Sequence, residues 1–233
     1  MKQLQKFFKG AGKIGVNGKD TLSLDIRSIE ELYTVILPHF DSYSLITQKK
    51  ADFELFKRVI VKIKNREHLT DVGVQEIVNI RASMNKGLSD ELKEAFPNTK
   101  NLSLSEAAGA TQVFIHKPAD CQSCSLTPPS AEIPSPFWLS GFTSGEGSFR
   151  IKLYKSSSLE KLAGLNFSIS QHIKDEPLMR SLVSYFGCGR YTARSNKPLG
   201  EYECTKLSDI NEKIIPFFIK HPIVGIKSLD FTD

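Results

Sequence analysis

An internal repeat constrains this 233-residue chain more than any other feature of its sequence. Residues 36–53, ILPHFDSYSLITQKKADF, align without a gap on residues 214–231, IIPFFIKHPIVGIKSLDF. Identities fall at Ile36 and Ile214, Pro38 and Pro216, Phe40 and Phe218, Lys49 and Lys227, Asp52 and Asp230, and Phe53 and Phe231, all at an offset of 178. The same offset pairs Leu32 with Ile210, Leu4 with Leu182 and Phe8 with Phe186, while FFKGAGKI parallels YFGCGRY with one residue of slack. One offset held over most of the shared span means two copies of one unit, so the chain must adopt the same local fold twice.

The copies read as incomplete in complementary ways. Copy two opens near Phe137 with FWLSGFTSGEGSF, and the counterpart of residues 137–178 in copy one falls before Met1. Copy one continues past Phe53 through ELFKRVIVKIKNREHLTDVGVQEIVNIRASMNKGLS, beyond the point where copy two stops at Asp233. The expectation is a fragment of a two-copy protein: the C-terminal part of a first repeat at 1–100, a linker at 101–134, and a second repeat at 135–233 truncated at its C-terminal end. The linker is rich in Ser, Ala and Pro and carries neither the helical nor the strand period.

Within copy two, Ser135 suits an N-cap and Pro136 the first helical position, so FWLSGFTSGEG predicts a short helix stopped by Gly147. Ser140, Gly141, Ser144 and Gly145 give it a side with almost no bulk, which permits close approach of another backbone. SFRIKLY alternates, with Phe149, Ile151 and Leu153 predicted inward and Ser148, Arg150, Lys152 and Tyr154 outward. LNFSIS repeats the pattern, with Leu165, Phe167 and Ile169 inward and Asn166, Ser168 and Ser170 outward. A helix from Asp175 to Phe186, strands near 189–194 and 201–205, and a further helix from LSDINEKIIPFF follow. Copy one supplies a hairpin in KIGVNGKDTLSLDIR, with a tight turn expected at Asn17-Gly18 and Ser23, Asp25 and Arg27 alternating with Leu22, Leu24 and Ile26. Helices from Ser28 and from Asp52 complete that unit. The fold class is α+β, with antiparallel sheets backed by helices.

Charge narrows the partner. A formal net charge of +5 favours a polyanion, and sheet faces carrying Arg, Lys, Asn, Ser and Tyr suit base edges and phosphates. An apolar fraction of 40% is enough for a packed core. The most apolar segment, IIPFFIKHPIVGI, is broken by Lys220 and two prolines, so neither a signal peptide nor a membrane span is expected. Four cysteines in a chain this long point to a reducing compartment. GAGKI at 10–14 lacks the rest of a phosphate-binding loop, and CQSC at 121–124 with His116 has no second ligand pair, so neither is read as a site.

Glu146 is the informative acid. A carboxylate at a helix C-terminus is disfavoured by the helix dipole, which argues for a functional reason. If two such helices pack by their small faces, their carboxylates meet, and a pair of acids holds divalent metal for phosphodiester hydrolysis.

WLSGFTSGEGSF resembles the LAGLIDADG motif of homing endonucleases, in the wording of the second motif of single-chain, two-repeat members from fungal mitochondrial introns. FSISQHIKDEPLM, YFGCGRY, LSDINEKIIPFF, LITQKKADFELF and MNKGLSDELKEAFP resemble the same subfamily, and the resemblance spans nearly the whole chain apart from the linker. It implies a site-specific endonuclease that grips double-stranded DNA with two sheets and cuts both strands using Mg2+, encoded in the mitochondrion and acting there. Carried over, Glu146 matches the metal-binding acid and the Gly145 carbonyl an auxiliary ligand. Gln171 matches a residue organising the attacking water, and Lys227 a lysine near the scissile phosphate, with Lys49 its repeat partner. The implied DNA-binding face comprises Arg150, Lys152, Tyr154, Asn166, Ser168, Ser170, Arg190, Thr192, Arg194, Ser23 and Arg27. The departure from the family pattern is the first motif helix, absent from this sequence, so this chain as written is expected not to cleave unless it pairs or is extended. The complete protein is expected to be monomeric and the fragment to self-associate. The alternatives carried are an RNA-binding intron maturase, with intron RNA as partner, and a degenerate inactive reading frame.

Overall fold

The computed structural model describes residues 1–19, 21–47, 49–84, 87–102, 132–154 and 162–232. The chain forms two compact units, Met1–Ser125 and Leu126–Asp233. The CQSC segment and most of the expected linker lie outside the described residues.

In the first unit, α1 (Lys2–Phe7) leads into an antiparallel hairpin of β1 (Lys13–Val16) and β2 (Leu22–Asp25). The strands are joined by residues 17–21 rather than by a two-residue Asn-Gly turn, and the Asn17 amide closes the loop on the Thr21 carbonyl at 2.7 Å. Ser28 caps α2 (Ile29–Glu31), accepting from the Glu31 amide at 3.3 Å. A π-helical turn over Leu32–Ile36 and α3 (Leu37–Ser42) continue the same helix. Then come α4 (Lys49–Lys64), which starts ahead of the expected Asp52, α5 (Asp71–Ala82), capped by Thr70, and α6 (Asp90–Ala95).

The second unit opens with α7 (Pro136–Glu146), capped as expected by Ser135, whose hydroxyl accepts from the Trp138 amide at 3.1 Å. The chain passes straight into β3 (Gly147–Tyr154), then β4 (Leu162–His172), α8 (Glu176–Phe186), β5 (Arg190–Ala193) and β6 (Leu199–Cys204). The four strands form one antiparallel sheet in the order β3-β4-β6-β5. α9 (Leu207–Asp209), a π-helical turn at Ile210–Ile214, α10 (Ile215–Lys220) and α11 (Lys227–Thr232) complete it.

The sequence repeat is a backbone repeat. Both π turns, Leu32–Ile36 and Ile210–Ile214, stand at the offset of 178 and precede a proline in the second position of the next helix. Proline has no N–H, and its ring collides with the carbonyl four residues back in a regular helix. Widening the turn relieves this: the residue before each proline bonds five residues back, Leu37 to Leu32 and Ile215 to Ile210. The ring pairs Phe40–Phe53 and Phe218–Phe231 also recur, with centroids 5.4 and 5.9 Å apart.

Under the second sheet, Leu139, Phe167, Ile169, Met179, Leu182, Tyr202, Ile214 and Phe218 form one fully buried cluster. The inward reading of β3 fails beyond Phe149, because Ile151 and Leu153 are 74% and 73% exposed. Alternation names a face, but how far the helical layer extends under it is decided by packing.

Gly187 closes α8 at φ +61 and Gly189 sits at φ +77. A Cβ on Gly189 would stand 2.7 Å from the Tyr202 ring, whereas one on Gly187 comes no nearer than 3.9 Å to Lys213. Gly187→Ala should therefore cost only the left-handed backbone penalty, about 1–2 kcal/mol, and Gly189→Ala about 2–4 kcal/mol by adding overpacking. Urea unfolding midpoints of the two variants check this, and equal losses would contradict it.

Candidate active site and nucleic-acid interface

The last turn of α7 carries Gly145 and Glu146, both exposed. Helix-end carbonyls lack internal partners, and that of Gly145 accepts from the Lys227 ammonium at 2.5 Å. Lys227 is held there because the loop before it is laced along α7. The Ser140 hydroxyl donates to the His221 carbonyl at 2.7 Å, and the Val224 amide donates to the Ser144 hydroxyl at 3.0 Å. The uniform small face expected of this helix is therefore divided. Ser140 and Ser144 face their own unit, while Phe137, Gly141 and Gly145, spaced four apart, stay open. Phe137 is 67% exposed, and a Cβ on either glycine would meet nothing within 4 Å.

β3 pairs with β4 from Gly147↔Ile169 onward, which sets Glu146 at the same end of the strand pair as Gln171. Gln171 is half-buried and its Oε1 accepts from the His172 amide at 3.1 Å. Glu146, Gly145, Gln171 and Lys227 thus belong to one end of the second unit. Lys49 occupies the repeat position of Lys227, as first residue of α4 in the first unit. Among the described residues no cluster of three or more His, Cys, Asp or Glu has metal-binding spacing. One carboxylate and one carbonyl are nevertheless hard oxygen donors of the kind Mg2+ and Ca2+ take, and such ions complete their shells with water and substrate phosphate.

The outer sheet face is a layer of ion pairs. The Glu203 carboxylate accepts from Lys152 Nζ and Asn166 Nδ2 on one oxygen, at 2.9 and 2.6 Å, and from Arg190 on the other at 2.9 Å. Glu201 accepts from Arg194 at 2.5 Å and from Arg150 at 3.4 Å. Arg150 also donates to the Ser168 hydroxyl at 2.7 Å. Arg150, Lys152, Arg190 and Arg194 therefore share the predicted face, yet Asn166 and Ser168, expected outward, are only 2% and 1% exposed. They keep the correct parity but lie beneath the long charged side chains. Ser170 is half-buried and Thr192 exposed, both register-paired with Glu201, and Tyr154 is the last residue of β3. In the first unit Ser23 donates to Asp25 at 3.2 Å, and Arg27, 89% exposed, stands 3.9 Å from the same carboxylate. Glu201 and Glu203 were missed in sequence although EYECT alternates them with buried Tyr202 and Cys204.

Hydrogen bonding from Lys152, aided by Arg190 and opposed by partial burial, holds the Glu203 carboxyl below its ordinary value of 4.5. A depressed carboxyl stabilises the fold above its ordinary pKa and stops doing so as pH falls through the folded value. The stability difference between the wild type and Glu203→Gln should therefore be present at pH 7 and shrink as pH falls below the ordinary carboxyl value of 4.5, as urea midpoints would show.

The family model described as LAGLIDADG endonuclease matches residues 1–60 and 139–233. Two Neurospora crassa proteins, probable intron-encoded endonucleases 3 and 2, are 38% and 33% identical over 99% and 98% of the chain. The chain spans 40% and 47% of their lengths, under half of each of these relatives. The crystal structure of meganuclease I-SmaMI bound to uncleavable DNA superposes with a TM-score of 0.86 at 42% identity, covering 99% of this chain and 71% of that one. I-GzeII in complex with its DNA target superposes at 0.80 with 39% identity, covering 99% and 72%. With the family model matched across both units and the α+β fold shared with DNA-bound homing endonucleases, this chain belongs to the LAGLIDADG endonuclease family.

Proposed function

We propose that this chain serves site-specific double-strand cleavage of DNA, hydrolysing phosphodiester bonds with a divalent metal, Mg2+ in the cell. The observation that carries the reading is the convergence at one helix end of the Glu146 carboxylate, the Gly145 carbonyl and the Lys227 ammonium, beside a sheet face of Arg and Lys. Glu146 and Gly145 would hold the metal, which when bound lowers the pKa of water and polarises a phosphoryl oxygen. A relative, I-SmaMI, has been solved on uncleaved target DNA in the presence of calcium ions, which supports the donor set. Lys227 is placed to offset charge developing on the phosphate, an electrostatic role, and the Gln171 amide to orient a water. Lys49 would act likewise from the first repeat. The exposed stripe of Phe137, Gly141 and Gly145 takes a second motif helix at close range, bringing a second acid to Glu146. The DNA-facing set is Arg150, Lys152, Arg190, Thr192 and Arg194 with Tyr154, Ser170, Ser23 and Arg27, while Asn166 and Ser168 support it from below. Relatives named as intron-encoded, one in an ND4 intron of Podospora anserina, support a mitochondrial setting.

The test is cleavage, at rising chain concentration in Mg2+, of a plasmid library bearing a randomised insert. Glu146→Gln should lower the rate about 10^3-fold or more with binding retained, and Lys227→Met about 10^2-fold. Undiminished cutting by the Glu146 variant would sink the assignment, and retention of intron RNA in preference to duplex would favour a splicing role. Gly141→Ala separates pairing from folding. It should stabilise the unit by about 0.5–1 kcal/mol in thermal unfolding while reducing cleavage, because the open face tolerates a methyl group and a partner backbone does not.

A further inference from the structure

Glu201 and Glu203 lie at the centre of the outer sheet face, on β6, with the cations around and above them. Their side chains are 14% and 19% exposed, against 50% for Arg150, 36% for Lys152, 72% for Arg190 and 50% for Arg194. Each acid joins opposite edges of the sheet: Glu203 bridges Lys152 on β3 to Arg190 on β5, and Glu201 bridges Arg150 on β3 to Arg194 just past β5. Four cations against two carboxylates leave this patch a net charge of +2. The first unit shares one register pair with it, while the position 178 residues before Glu201 is Ser23. Asp25 stands 178 residues before Glu203, and it is register-paired with Lys13 as Glu203 is with Arg190.

We propose that Glu201 and Glu203 are specificity-determining positioning residues, which hold the four cationic side chains in fixed orientations for base-edge recognition and suppress indiscriminate attraction to phosphate. The inference rests on the DNA-binding reading above. Two physical effects carry it. Arg and Lys lose much rotamer freedom when they dock, so ordering them in the free protein removes a cost that otherwise weakens correct binding. Guanine is read by a guanidinium whose plane is set, whereas phosphate accepts a cation in almost any pose. A carboxylate beneath the cations therefore favours the first mode over the second. The direction of the effect is distinctive. Removing a DNA contact weakens binding, but neutralising either acid should tighten binding to the wrong DNA.

The experiment measures affinity of the wild-type chain, Glu201→Gln and Glu203→Gln for a 30-base-pair duplex of arbitrary sequence across a KCl series. It is followed by selection from a randomised duplex library. Glutamine keeps the shape and one acceptor oxygen, and circular dichroism melts of both variants report folding, so either variant alone suffices. The expected result is several-fold tighter binding to the arbitrary duplex, a log–log salt slope steeper by up to about 0.9 per charge removed, and a selected pool with less sequence bias. Unchanged or weaker arbitrary-sequence binding with an unchanged slope overturns the proposal while leaving the DNA-binding reading intact. Loss of preference at a single base position, with the slope unchanged, also overturns it, since that marks a direct contact. A wild-type chain that binds no duplex at low salt defeats both readings together.

Discussion

The second unit depends on α7 becoming β3 with no loop between them. Gly147 makes this possible: a side chain there would collide with the buried Thr143 one turn back in the helix. Because the helix stops at Glu146, that residue comes to one end of the β3–β4 strand pair, and the Gly147↔Ile169 pairing brings Gln171 to the same end. The loop laced onto Ser140 and Ser144 then delivers Lys227 to the Gly145 carbonyl. The backbone transition thus sets Glu146 and Gln171 at one end of the unit, and the laced loop adds Lys227.

The same transition separates the two roles of the unit. The inner sheet face, through Phe167, Ile169 and Tyr202, is sealed against α8 and the π-turn helix and provides the rigidity. The outer face carries long cations over Glu201 and Glu203. Such ion pairs are worth little to stability when solvent-exposed. The partial burial of the two acids and the sharing of each carboxylate among several donors make these pairs better suited to fixing geometry than to holding the fold.

The doubled π turn shows how a local chemical constraint shapes both repeats. A proline inside a helix is ordinarily costly, yet Pro38 and Pro216 are each accommodated by one widened turn, and each helix continues past its proline. The consequence is that Phe40 and Phe218 meet Phe53 and Phe231 at nearly the same separations in the two units. Repetition of an uncommon backbone feature at the offset of the sequence repeat ties the two levels together more firmly than the identities alone.

What the sequence determined by itself was local or periodic: the repeat, the Ser135 cap, the stop at Gly147, the order of the elements, the α+β class and the parity of β3 and β4. The motif around Glu146 was legible for the same reason, since its residues are adjacent in the chain. What only the tertiary structure decided involves partners far apart. The burial of Asn166 depends on Glu203, 37 residues away, and the two acids meet Arg150 and Lys152 across 51 residues. Ser140 turns inward for a carbonyl 81 residues on, and Lys227 reaches Gly145 across 82. Ile151 and Leu153 alternate like core residues but lie exposed. Periodicity records which way a side chain points, and only the folded chain supplies what it meets there, because desolvation and ion pairing depend on neighbours that the local sequence does not contain.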